Sequence, residues 1–212
     1  MEWVKFIEFI SELPVIDTEL LLVGVPDPAS VKVQISRWKK AGKLIQLKRG
    51  VYVLAEIYRK SAVYEPYIAS LLKKPSYISL EKALEYHNLI PEGVTVYTSV
   101  TPKRQAKFTS KIGIFLYRHI KAGLFWGYES VTVNKQAAFI ARPEKALLDL
   151  VYLNNIKVSP EYFQELRLQN TQKINQNRLF EYAEKFKKPG ILTAAKVIKE
   201  YIQSYREEEK LL

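Results

Sequence analysis

The amino-acid sequence predicts an α+β fold, built as a small N-terminal unit followed by a larger one. Three observations predict it. Apolar residues recur at helical spacing near both ends of the chain. Between them, residues 94–140 are rich in Val, Ile, Phe, Tyr and Thr with glycine punctuation, a β-prone composition. Within the first 55 residues, short helical patterns give way to two β-prone runs around a glycine.

The elements follow in order. Val4, Phe6, Ile7, Phe9, Ile10 and Leu13 are spaced as a helix over residues 2–13, which Pro14 stops. Asp17 is placed to cap a second, short helix through Leu20–Val23. Asp27-Pro28-Ala29-Ser30 opens a third, with Asp27 as cap and Pro28 at the first helical position. Val31, Ile35 and Trp38 then share one face, and Gly42 ends the helix. Leu44–Leu47 and Val51–Leu54 flank Lys48-Arg49-Gly50, a hairpin in which Gly50 supplies a positive φ. Three helices and a hairpin are the order of a winged helix-turn-helix, expected at residues 1–55.

Residues 56–212 are expected to form a larger α+β domain. Helices are predicted at 64–73 and 79–88, and several strands across 94–140, where 112–117 alternates. From Pro143 the chain turns helical again: Ala146, Leu147, Leu150, Val151 and Leu153 form a stripe, with further helices at 160–167, 175–187 and 190–206. The charge run Arg206–Lys210 reads as a solvated helix end.

Composition narrows the partners. The chain has 33 Lys and Arg against 22 Asp and Glu, a net charge of +11. Such a balance favours a polyanion. Cysteine is absent, which removes disulfides and thiolate metal sites and suits a reducing cytoplasm. No apolar run approaches the roughly 20 residues of a membrane span, and the N-terminus lacks a signal-peptide pattern. A soluble cytoplasmic protein with no membrane partner is expected.

The positive charge is not spread evenly. From Val31 to Val51 there are seven Lys and Arg residues and no acid. On the third helix, the face opposite Val31, Ile35 and Trp38 carries Lys32, Val33, Gln34, Ser36, Arg37 and Lys40. Lys32, Gln34 and Arg37 are the candidates to read base edges. Lys40, with Lys48 and Arg49 at the hairpin tip, is expected to hold phosphates, and Ser30 completes the DNA-facing set. A second acid-free stretch, 93–128, interleaves aromatics with Lys103, Arg104, Lys107 and Arg118, a basic surface expected in the larger domain.

Chemistry has little to stand on. The two histidines, His87 and His119, are far apart and lack ligand spacing. There is no phosphate-binding glycine loop and no nucleophile motif. No catalytic residue, metal site or cofactor is expected. The alternatives are a metal-dependent nuclease drawing on Glu81, Glu85, Glu92, Glu144 and Asp149, or an RNA-binding module without promoter function.

Four further stretches carry a family likeness: residues 75–92 (PSYISLEKALEYHNLIPE), 98–104 (TSVTPKR), 113–120 (GIFLYRHI) and 141–150 (ARPEKALLDL). With 42–52 (GKLIQLKRGVY), they resemble the AbiEi antitoxins of type IV toxin–antitoxin and abortive-infection systems, in motif order across about residues 30–153. The resemblance implies a DNA-binding antitoxin that represses its own operon at inverted repeats. It also implies a nucleotidyltransferase-like toxin as functional partner, countered through the C-terminal domain with or without direct contact. Residues 154–212 carry no matching motif.

Overall fold

The structure, a computed structural model, describes residues 2–209, with side chains through Tyr205. The side chains of the 206–210 charge run lie outside the described residues. The fold is mixed α+β.

The chain opens with helix α1 (Trp3–Ile10), a two-residue strand β1 (Ile16–Asp17), a single turn α2 (Thr18–Leu21) and helix α3 (Pro28–Lys40). Strands β2 (Leu44–Lys48) and β3 (Val51–Leu54) follow as an antiparallel hairpin, and β1 adds to it in the order β1-β3-β2. Helix α1 is shorter than the apolar spacing predicts. Only Phe6 and Ile10 are buried, while Val4, Phe9 and Leu13 stay exposed, so the stripe facing the core is narrower than the apolar pattern. Strand β1 went unpredicted because two residues show no alternation.

The larger part holds a six-stranded sheet in the order β6-β7-β5-β4-β9-β8. Its strands are β4 (Tyr77–Ile78), β5 (Val96–Thr101), β6 (Ala106–Thr109), β7 (Ile114–His119), β8 (Tyr128–Val133) and β9 (Gln136–Ala141). Pairs β5–β7 and β4–β9 are parallel and the rest antiparallel. Helix α4 (Glu65–Leu72) packs on β4, β5 and β9. Helix α5 (Leu80–Tyr86) packs on α6 (Pro143–Asn154), which also meets α8 (Gln176–Lys185) and α9 (Pro189–Glu209); α7 (Pro160–Glu165) lies against α9.

Buried side chains fall into two clusters. Phe6, Ile10, Ile16, Val31, Ile35, Trp38, Leu44 and Leu54 make the first. Aromatic rings dominate it: Phe6 and Trp38 approach to 4.5 Å between centroids, and Trp3 meets Trp38 edge-on at 5.2 Å. The second cluster fills the space around the large sheet and its helices. The hairpin serves both, because Leu44 and Leu54 face the first while Leu47, Val51 and Val53 belong to the second.

One polar network sits inside the second core. Lys145 and Asp149 are both fully buried and form a direct ion pair one helical turn apart on α6. Asp149 also accepts from the Tyr77 hydroxyl at 2.9 Å and the Ser79 hydroxyl at 2.8 Å. Burial pushes the Asp149 carboxyl up and the Lys145 ammonium down, each opposed by the partner's charge. The Lys145 ammonium lies 4.8 Å from the ring centroids of both Trp126 and Phe186. Gly127, at φ +79°, is pressed against the Lys145 stem; an added Cβ would come within 3.0 Å of it.

Candidate nucleic-acid interface

Helix α3 begins where its sequence says it should. The Asp27 carboxylate accepts from the Ser30 backbone N–H at 3.1 Å, and Pro28 occupies the first turn. Val31, Ile35 and Trp38 are buried beneath it. Ser30, Lys32, Val33, Ser36, Arg37, Lys39 and Lys40 are exposed, with no acid among them. At about 100° per residue, the outward direction falls on Val33, Ser36, Arg37 and Lys40. Lys32 and Gln34 lie on opposite flanks, and Gln34 is half-buried. The sequence-predicted trio Lys32, Gln34 and Arg37 therefore does not share one face. Lys39 is turned toward the hairpin, where its ammonium donates to Gln46 Oε1 at 3.0 Å.

The hairpin tip is clamped. Gly50 has φ +81°, and its carbonyl accepts from the Thr18 backbone N–H at 2.8 Å and from the Thr18 hydroxyl at 2.9 Å. A Cβ at Gly50 would meet that hydroxyl at 3.2 Å. Helix α2 thus fixes the turn that carries Arg49. Gly50→Ala combines the positive φ with this contact and is expected to lower stability by about 1–2 kcal/mol. A thermal melt checks it, and an unchanged Tm would mean that the turn relaxes freely.

An open concavity of about 820 Å³ lies between α2, α3 and the hairpin tip. Lys32 and Arg49 both line it, so the structure brings these two predicted cations to one surface; Glu19 lines it as well. Lys48 goes elsewhere. Its ammonium donates to the Leu72 carbonyl at the end of α4, at 2.9 Å, and the residue is half-buried. The expectation that Lys48 holds a phosphate beside Arg49 is corrected on this point: the side chain joins the hairpin to the larger sheet's helix instead.

The second predicted basic surface divides in the same way. Lys103, Arg104 and Lys107 are exposed. Arg118 is half-buried and donates to the Leu153 carbonyl at 2.8 Å and to Asn154 Oδ1 at 3.0 Å. It binds a terminal carbonyl and a side-chain amide oxygen at the end of α6 and is not a free surface cation, a place that suits a guanidinium. The 101–105 loop is tied to the segment after α4, since the Thr101 hydroxyl donates to the Pro75 carbonyl at 2.7 Å. Sequence reasoning missed Lys73 and Lys74, which follow Leu72 and lie between these two attachments. The signal was a pair of lysines in a stretch, 66–80, that has no acid.

No protein-family model matches the chain, and no curated protein does.

The carboxylates named for a nuclease have structural partners or stand apart. Glu144 is fully buried, accepts from the Asn175 backbone N–H at 2.7 Å and pairs with Arg178 at 3.6 Å. Glu85 pairs with Lys82 at 2.6 Å and Glu92 with Arg167 at 3.1 Å. Asp149 belongs to the buried network, and Glu81 is half-buried. Among the described residues, no three His, Asp or Glu side chains gather as a metal site would require. Nor is any described helix long and apolar enough to cross a membrane.

Proposed function

We propose that residues 1–55 act as a winged helix-turn-helix that binds duplex DNA, with α3 as the helix in the major groove and the β2–β3 turn as the wing. One observation carries this reading. Lys32 on the flank of α3 and Arg49 at the clamped hairpin tip line a single open concavity, and the outward face of α3, with Arg37 and Lys40, is exposed on the same helix. Val33, which is 52% exposed at the centre of that face, suits a thymine methyl. Arg37 suits a guanine edge, and Lys40, Lys32 and Arg49 suit phosphates. The net charge of +11 adds a sequence-independent attraction to the same polyanion.

With the resemblance to AbiEi antitoxins, this becomes a cytoplasmic repressor of its own operon. The larger unit then counters a nucleotidyltransferase-like toxin. Titrating the protein against duplex DNA from its own upstream region, with scrambled duplex and a structured RNA as competitors, tests the proposal. Tighter binding of the upstream duplex is expected; equal binding of all three would sink it.

The hairpin offers a sharper check. Arg49→Ala should lower the slope of log affinity against log salt by about one unit. Lys48→Ala should leave that slope unchanged, because its ammonium already serves the Leu72 carbonyl. Equal slope changes in the two variants would place Lys48 on the DNA.

A further inference from the structure

A second cavity, of about 330 Å³, opens between α4 and the β8–β9 strands, away from the α3 concavity. Its lining has a distinct chemistry. Tyr67 and Leu71 come from α4, and Phe125, Tyr128 and Phe139 from the sheet side, with exposed Lys74 beside them. Among the described residues, no carboxylate lines it. Phe139 is 43% exposed, a large aromatic face left to solvent.

The aromatic wall is rigidly backed. The Tyr128 ring stacks on Tyr77 at 4.7 Å and an interplanar angle of 20°. Phe125 contacts both rings, at 5.1 Å and 5.2 Å, and Phe139 meets Tyr128 edge-on at 5.6 Å. Tyr77 is itself held by its hydrogen bond to buried Asp149. A preorganised wall of this kind loses little freedom when a ligand arrives.

Flat π faces select a planar ring, and an exposed ammonium in a lining whose described residues include no acid selects a negative charge. The volume falls at the lower end of small-molecule sites. We propose that this slot binds a nucleotide: the base packs against Phe139 and the Tyr128–Phe125 wall, and Lys74 meets the phosphate. The base is either that of a free mononucleotide or one splayed from a single strand. This site is separate from α3 and does not depend on duplex binding there.

Calorimetric titration of the full chain tests it, with adenosine and uridine 5′-monophosphates, adenosine, hexanoate and a single-stranded decamer as probes. Saturable binding of the monophosphates is expected, tighter than that of adenosine. Phe139→Ala should weaken it about tenfold, in the range of one base–aromatic stack. Lys74→Ala should bring the monophosphate and adenosine to within about twofold of each other, since the phosphate loses its only neighbouring ammonium in the lining. Both side chains are solvent-exposed, and circular dichroism confirms that each variant is folded. A decamer that binds more tightly than the monophosphate, and loses affinity with Phe139→Ala, identifies the strand as the source. A decamer no tighter than the monophosphate identifies the free nucleotide. The proposal fails if neither monophosphate saturates at millimolar concentration, if hexanoate binds as well as they do, or if both variants bind like the wild type.

Discussion

Asp149→Ala is expected to lower the unfolding free energy by about 3–5 kcal/mol, the cost of leaving a buried charge without its partner. Lys145 would be stranded in a fully buried position, with its ammonium among the rings of Trp126, Phe186 and Tyr77 and no anion beside it. The Tyr77 and Ser79 hydroxyls would lose their acceptor together. Against a total of about 5–15 kcal/mol for an ordinary domain, that is a large fraction. Urea denaturation measures it. Asp149→Leu combined with Lys145→Met should recover much of the loss, because removing both charges is cheaper than removing one. A single variant within about 1 kcal/mol of wild type would show that Lys145 reaches solvent or sheds its proton readily.

Replacing Arg37, Lys40 and Arg49 together with Ala is expected to reduce the salt slope of DNA binding by about 2–3 units. Affinity at about 0.15 M salt should fall by on the order of a hundredfold or more, since each ionic contact also releases counterions. All three side chains are exposed, and no described ion pair involves them, so the fold should survive. Arg37 differs from the other two in one respect. Its loss should also relax preference at one base position, because a guanidinium on a guanine edge reads sequence where an ammonium on a phosphate does not. Binding across a panel of single-base operator variants would reveal this. Undiminished affinity in the triple variant would remove α3 and the hairpin tip from the interface.

How much of this was legible in the sequence follows from the range of the forces involved. Helix α3 could be read because its determinants are local: Asp27 caps within three residues, and Val31, Ile35 and Trp38 repeat with the helical period. The hairpin could be read from Gly50 and its flanking runs. Lys48 and Arg49 are neighbours in sequence and looked equivalent there. They part because the acceptor for Lys48, the Leu72 carbonyl, lies 24 residues further along the chain. Arg118 misled in the same manner: alternation along β7 placed it outward, but the end of α6 stands over it, some 35 residues away in sequence. The Lys145–Asp149 spacing of four puts both side chains on one face of a helix, but their complete burial could not be read, since it depends on Phe186 at the end of α8, the 125–128 segment and β4 closing around them. The aromatic slot was likewise out of reach, because its walls come from segments some 70 residues apart.

Helix α4 links the aromatic slot to the hairpin. Its Tyr67 and Leu71 form one side of the aromatic slot, and its terminal carbonyl at Leu72 receives the hairpin's Lys48. A shift of α4 caused by an occupant of the slot would thus be felt at the hairpin. Thermodynamic reciprocity makes such communication run both ways: whatever factor an occupant of the slot imposes on the proposed duplex binding, the duplex must impose on that occupant.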